Sequence, residues 1–236
     1  MHDNKFLTTL AIIPARGGSK RIPHKNLKNF LGKPIISYPI RSAIESKCFD
    51  EVMVSTDDTA TAKIAKSLGA KVPFMRSKKN SNDYATTVDV LLEVLADYHK
   101  LRKHFDLVCC IYPTSVSVTI DVIKNAKKMM QSGINGVATI VPFEHPINRA
   151  IKLDIKNTLS FKYPESAELR TQDFTQYYHD AGQLYFLKAE TLMVEKKVFL
   201  SNMKPIIMGN NVVQDIDSID NWKIAEIKFL HANQSQ

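Results

Sequence analysis

Two stretches far apart in the chain carry residues suited to handling phosphate. The first, AIIPARGGSKRIPHKN (residues 11–26), leads from an apolar run into Gly17, Gly18 and Ser19, flanked by Arg16, Lys20, Arg21 and Lys25. Adjacent glycines can take positive φ and turn backbone N–H groups toward an anion, and the cations add charge to that cradle. The segment matches neither the G-x-G-x-x-G dinucleotide fingerprint nor the Walker G-x-x-x-x-G-K-[ST] loop. The second stretch, QDID, places Asp215 and Asp217 at i and i+2. In an extended segment such side chains share a face. Two hard carboxylates on one side suit Mg²⁺, which takes one or two protein carboxylates and completes its shell with phosphate oxygens and water. A helix-start cluster is the competing reading, because Ser218 and Asp220 follow immediately.

The bulk composition agrees with a small polyphosphate ligand. The 236 residues carry a formal charge of +8. Residues 1–33 hold seven cations against Asp3 alone. Charge gathered beside a glycine turn fits a compact anion better than a nucleic acid, which calls for a basic stripe or face. Three cysteines, Cys48, Cys109 and Cys110, fit no zinc spacing; Cys109 and Cys110 stand in an apolar run and read as buried thiols, which suggests a reducing cytoplasm. The apolar start, Phe6 to Ala15, runs straight into the glycine turn and reads as a strand rather than a secretion signal. No apolar run approaches the ~20 residues of a membrane span. His2, His24, His99 and His104 show no pairing pattern and read as surface residues.

The elements that must position these groups alternate between strand and helix. TLAIIPA, EVMVSTD, KVPFM, FDLVCCIYP and GVATIVP read as strands, separated by amphipathic helices such as YATTVDVLLEVLADYHKL. This rhythm predicts one α/β, Rossmann-like domain over residues 1–236, with a mostly parallel sheet and helices on both faces. Ligands of such sheets sit beyond the carboxyl ends of the strands, near a reversal of strand order. Residues 144–183 break the rhythm. HPINRAIKLD and TLSFKY there read as a hairpin, and the polar, aromatic remainder reads as a functional or interaction arm.

IPARGGSKRIPHKN followed by GKPIISYPI resembles the N-terminal signature IPARxGSKxxPxKN…GKP of cytidylyltransferases that activate acidic sugars as CMP conjugates, the sialic acid synthetases and their relatives. The resemblance spans nearly the whole chain. It implies that the first loop binds the triphosphate of CTP, with Arg16 and Lys20 as catalytic ligands, Lys25 as a further one, and Ala15, Gly17, Gly18 and Ser19 as the backbone cradle. FMRSKKNSNDYATTVDVL is similar to the family's RPxxLAxDxAxxxDV, which implies Arg76 and Thr87 near the nucleotide. Asp58, Asp83 and Thr86 are also readable as helix-start residues. By resemblance the C-terminal Asp215 and Asp217 are catalytic and hold Mg²⁺, the implied cofactor.

Where many members have LLQPTSP, with the glutamine contacting cytosine, this chain has CCIYPTS, with Tyr112 in that place. VCCIYPT and YYHDAGQLYF resemble the pseudaminic acid branch, whose sugar is a nine-carbon bis-acetamido nonulosonic acid. The resemblance further implies a homodimer whose arm reaches the partner's sugar site, with Arg149, Arg170, Gln172, His179, Asp180 and Gln183 facing the sugar. The expected partners are thus CTP, an acidic nonulosonic sugar and a second copy of the chain, with no nucleic acid and no membrane. N-acetylneuraminate, legionaminate and 3-deoxy-manno-octulosonate are the alternative sugars. A nucleotide-binding regulator without turnover is the alternative from another class.

Overall fold

The computed structural model describes residues 7–234, so His2 lies outside it. Its centre is a six-stranded sheet built from β1 (Thr9–Pro14), β4 (Glu51–Ser55), β5 (Leu107–Ile111), β6 (Gly136–Pro142), β9 (Tyr178–Lys188) and β10 (Met203–Ile207), in the order β10-β6-β9-β5-β1-β4. β4-β1-β5 and β6-β10 pair in parallel; β9 lies antiparallel between β5 and β6. The sheet is therefore mostly parallel, as the alternation predicts, with one reversed strand in its middle.

Strand alternation divides the core. Ala11 and Ile13 of β1 join Cys109 and Ile111 of β5 in one cluster, while Leu10 and Ile12 join Val108 and Cys110 on the other face. The first face is covered by α1 (Ser37–Ser46), α2 (Thr59–Ser67) and α4 (Ile120–Met129), through Ile40, Ala43, Ala62, Ala65, Ile123 and Ala126. The second face is covered by α3 (Thr87–Lys100) and α5 (Ala189–Glu195), through Leu91, Val94, Tyr98 and Leu192. A third cluster joins Phe30 of the short ribbon β2–β3 (Asn29–Phe30 and Lys33–Pro34) to Trp222 and Ala225 of α6 (Ile219–Gln234) and to Ile216.

Local chemistry fixes the helix starts. Pro39 falls in the first turn of α1, where a missing N–H costs little. Asp58 caps α2 by accepting from the Thr61 amide at 2.8 Å, and Thr86 opens α3 with a capping box closed by Asp89. Ser218 caps α6, its Oγ accepting from the Asn221 amide at 3.1 Å, so Asp220 is not the cap.

Three readings change. KVPFM forms no strand beyond a single bridge between Lys71 and Met53, because Pro73 has no N–H for a ladder. β9 begins at Tyr178, inside the stretch read as an arm. His99 and His104 are on the surface as read, but they are paired: their Nδ1 atoms lie 3.4 Å apart. The hairpin in the arm is present as β7 (Ile151–Leu153) and β8 (Leu159–Phe161). The arm closes at its base through the Phe143 amide donating to Tyr177 O at 3.0 Å.

Candidate active site

The strand order reverses at β1, which has β4 on one side and β5 on the other. A cleft of about 980 Å³ opens there, at the carboxyl ends of the parallel strands. Its walls are the loop after β1, the turn Tyr112–Thr114 after β5, the start of β9 from His179 to Gly182, and residues 210–215 after β10. β9 contributes its first residues because it runs antiparallel. The volume stands at the upper end of the ~300–1,000 Å³ range of ligand pockets.

One side of the cleft is cationic: Arg16, Lys20, Arg21 and Lys25 line it. Arg16 Nη1 and Lys20 Nζ each reach a separate oxygen of Asp83 at 2.6 Å. Lys20 first and Arg16 second hold the Asp83 carboxyl down at about 2. Arg21 reaches Asp217 at 2.8 Å. Lys25, half-buried, donates to Ile216 O at 2.7 Å and lies 3.7 Å from Asp217. Burial lowers its pKa, with Asp217 and Asp215 opposing. Asn26 pins the loop by donating to Arg16 O at 2.9 Å.

The glycines act by their smallness. Neither Gly17 nor Gly18 has positive φ. A Cβ on Gly17 would lie 2.7 Å from Asp58 Cβ, closer than two such atoms can approach. The Gly17 amide donates to Asp57 Oδ1 at 2.8 Å, so it is spent on the protein rather than aimed into the cleft. The cradle expected from Ala15, Gly17 and Gly18 is corrected accordingly: Ala15 is fully buried and of the three glycine-turn residues only Ser19 lines the cleft.

The opposite wall is a chain of hydroxyls. Tyr112 Oη lies 2.5 Å from Thr87 Oγ1, its ring packs edge-on against Tyr185, and Tyr185 donates to Asp180. Burial pushes the Tyr112 phenol up to about 12. Burial and then Asp180 raise the Tyr185 phenol further. Both therefore remain protonated at neutral pH and can donate. Gly182, at φ +59°, makes the bend in β9 that lets its amide close on Asp180 Oδ1 at 2.9 Å. His179 packs its ring on Phe143 at the cleft edge.

The structure brings Arg16, Ser19, Lys20, Lys25, Tyr112, His179, Asp180 and Asp215 to this one cleft, from four separate segments. Others lie elsewhere. Arg76 is buried under β4, donating to Ser55 Oγ at 3.0 Å and to Ser55 O, and does not line the cleft. Gln183 is buried; its side chain accepts from Ser117 at 3.1 Å and donates to Ala181 O, so it ties β9 to the turn after β5. Arg149 is folded into the arm, donating to Leu169 O and covering the Phe174 ring. Arg170 and Gln172 are exposed on the arm outside this chain's own cleft. Arg21, read from the sequence as a cation flanking the glycine turn, lines the cleft too, and Asn26, Asp83, Tyr185, Asn210, Gln214 and Lys228 join it without having been expected there. Arg21 and Asn26 stood inside the quoted loop. The others carry no local signal.

Asp215 lines the cleft and Asp217 is held at its cationic edge, with Ile216 between them turned into the core. Two carboxylates in this alternation, beside cations suited to phosphate, form a donor set that fits Mg²⁺. Among the described residues no group of three or more His, Cys, Asp or Glu is gathered for a metal, so substrate oxygens would have to complete the shell.

The fold and cleft are those of a nucleotidyltransferase, and residues 10–219 match the cytidylyltransferase family: the chain belongs to it. It is 38% identical over 230 residues to a pseudaminic acid cytidylyltransferase of Campylobacter jejuni, covering 97% of this chain and 99% of the relative. It is 28% identical over 228 residues to a CMP-N,N'-diacetyllegionaminic acid synthase of Legionella pneumophila, covering 95% and 97%. Among solved structures, a CMP:2-keto-3-deoxy-manno-octonic acid synthetase complexed with CTP superposes with a TM-score of 0.68 at 17% identity, covering 96% of this chain and 99% of that one.

Proposed function

We propose that the chain transfers CMP from CTP to the anomeric hydroxyl of pseudaminic acid and releases pyrophosphate. The observation that carries the choice of sugar is the end-to-end 38% identity with the Campylobacter enzyme, against 28% with the legionaminic acid synthase. Tyr112 in place of glutamine points the same way.

The triphosphate lies on Arg16, Lys20, Arg21 and Lys25. The sugar occupies the side formed by His179, Asp180 and Tyr185. The anomeric oxygen forms a bond to the α-phosphorus as the bond from that phosphorus to the bridging oxygen of the β-phosphate breaks. Pyrophosphate leaves with the electron pair, and the cations stabilise the charge it gathers. Asp83 stands on the triphosphate side beside Arg16 and Lys20, and Asp180 accepts from Tyr185 and Gly182, which leaves Asp215 as the cleft carboxylate to take the hydroxyl proton. Mg²⁺ held by Asp215 and Asp217 would supply charge neutralisation at the phosphates. Most of the acceleration comes from holding two anionic substrates in line.

The working unit is a homodimer in the cytoplasm. The arm exposes Ile151, Leu153, Ile155 and Leu159 while Arg170 and Gln172 stay outside their own cleft, an arrangement that suits a partner's site. Three buried free thiols suit a reducing compartment, and no helix among the described residues is long and apolar enough to cross a membrane.

Pyrophosphate release with CTP and Mg²⁺ is the test, run across pseudaminic, N-acetylneuraminic, legionaminic and 3-deoxy-manno-octulosonic acids. Turnover is expected with pseudaminic acid. Turnover with another sugar and none with pseudaminic acid would overturn the choice of sugar.

A further inference from the structure

Two cations of the first loop already share a carboxylate inside the protein. One carboxylate, Asp83, bridges Arg16 Nη1 and Lys20 Nζ, giving each a separate oxygen at 2.6 Å. This is how two non-bridging oxygens of one phosphate would engage the same pair of donors. A phosphate chain and Asp83 cannot both hold these donors at that distance without two anions meeting. Asp83 is exposed and regains water when it lets go, so releasing it is cheap.

The segment carrying Asp83 is built to move alone. On one side, Ser77 and Asn80 are tied to Glu93 of α3, the Ser77 amide at 2.7 Å. On the other, Thr86 and Asp89 close the capping box that starts α3. Between these anchors lie residues 81–85. Ser81 and Asn82 are tied back to the turn by Ser81 Oγ donating to Ser77 O at 2.7 Å and Asn82 Nδ2 to Lys79 O at 2.6 Å. Asn82 Oδ1 accepts from the Tyr84 and Ala85 amides at 2.7 and 3.0 Å, so, its ion pairs aside, Asp83 is held only by local bonds. Asp83 can therefore swing off the cations without disturbing α3 or the sheet.

We propose that Asp83 is an internal stand-in for phosphate, which occupies Arg16 and Lys20 between turnovers, is displaced by the incoming triphosphate and competes with pyrophosphate for the same cations after the transfer. It weakens the hold on substrate and product alike, and so keeps the product from lingering on a strongly cationic loop. The inference rests on the reading of Arg16 and Lys20 as polyphosphate ligands.

Calorimetric titration of the full chain with inorganic tripolyphosphate, pyrophosphate and CTP at one ionic strength tests it. Asp83→Asn and Asp83→Ser both remove the charge, with different side chains. Both are expected to bind tripolyphosphate about tenfold more tightly than the wild type, as loss of two competing ion pairs allows. Inhibition by pyrophosphate should strengthen by the same factor, while Asp83→Glu stays near the wild type. Unchanged or weaker binding in both neutral variants would overturn the inference and make Asp83 a group that orients the cations. Absence of polyphosphate binding to the wild type, unaltered by Arg16→Ala, would instead overturn the reading of the loop itself.

Discussion

At the scale of single residues, the site is a set of opposite charges held in place by neutral detail. Asp217 contacts Arg21 and Lys25 at the edge of the cleft and supports no core packing, so Asp217→Ala should abolish pyrophosphate release and cost only about 1 kcal/mol in thermal unfolding. Loss of the fold would instead make the pair structural. Gly17 is required by its contact with Asp58. Gly17→Ala must push the loop off α2, with an expected cost of about 1–3 kcal/mol and a CTP affinity at least tenfold weaker by titration. The residues of the opening motif could be found in the sequence because they are contiguous and their spacing is constrained. Asp83, Tyr185 and Asn210 could not, because each reaches the cleft only once β9 is reversed or a loop is folded back. Arg76 and Gln183 are bonded within the protein instead of lining the cleft, and a buried polar side chain that satisfies a backbone carbonyl has the same letter as one that binds a ligand.

Among the elements, the parallel strands and their helices followed from apolar periodicity, and the caps from Asp58 and Thr86. The second half of β9, GQLYFLK, is legible as a strand in the same way, but its reversal and its early start are not, since its first residues Tyr178, His179 and Asp180 are polar. A buried carboxylate binds several elements at the far end of the sheet from the cleft. Glu51, at the start of β4, accepts from Tyr98 of α3, from Lys71 at 2.9 Å and from Lys103 at 2.8 Å. Burial alone would raise its pKa; the hydrogen bonds from Lys103, Tyr98 and Lys71 together outweigh it, and the pKa is lowered. A carboxylate with a lowered folded pKa contributes stability above its unfolded pKa and loses it as pH falls through the folded value. Glu51→Gln should therefore cost about 2 kcal/mol near neutral pH, and the gap to the wild type in urea melts should shrink as pH drops below the ordinary carboxylate range. A constant gap would mean packing, not charge, is responsible.

For the whole molecule, the proposed homodimer makes the arm the element that would decide how many chains build a site. The hairpin β7–β8 presents Leu153 and Leu159 to solvent, beside Ile155, which is fully exposed. If the proposed homodimer forms through this hairpin, the wild type should sediment as a dimer and a variant with Leu153 and Leu159 replaced by Asp as a monomer. Mixing inactive Arg16→Ala and Arg170→Ala chains should restore about a quarter of wild-type activity if each arm serves the other chain's cleft, because half the dimers are mixed and each has one intact site. No recovery would place Arg170 in its own cleft or outside the reaction. The sequence announced an irregular arm, but an exposed apolar surface becomes visible only when the rest of the chain has folded without it.

In the proposed reaction one cleft brings the loop cations and Asp215 together so that the α-phosphorus passes to an acidic sugar. ³¹P spectroscopy of the chain with CTP, Mg²⁺ and pseudaminic acid tests this most directly. The three CTP resonances should give way to one phosphodiester resonance of a CMP-sugar and one pyrophosphate resonance of twice its intensity, because pyrophosphate carries two equivalent phosphorus atoms. CTP left intact with every acidic sugar offered, or converted to CMP with no sugar attached, would contradict it.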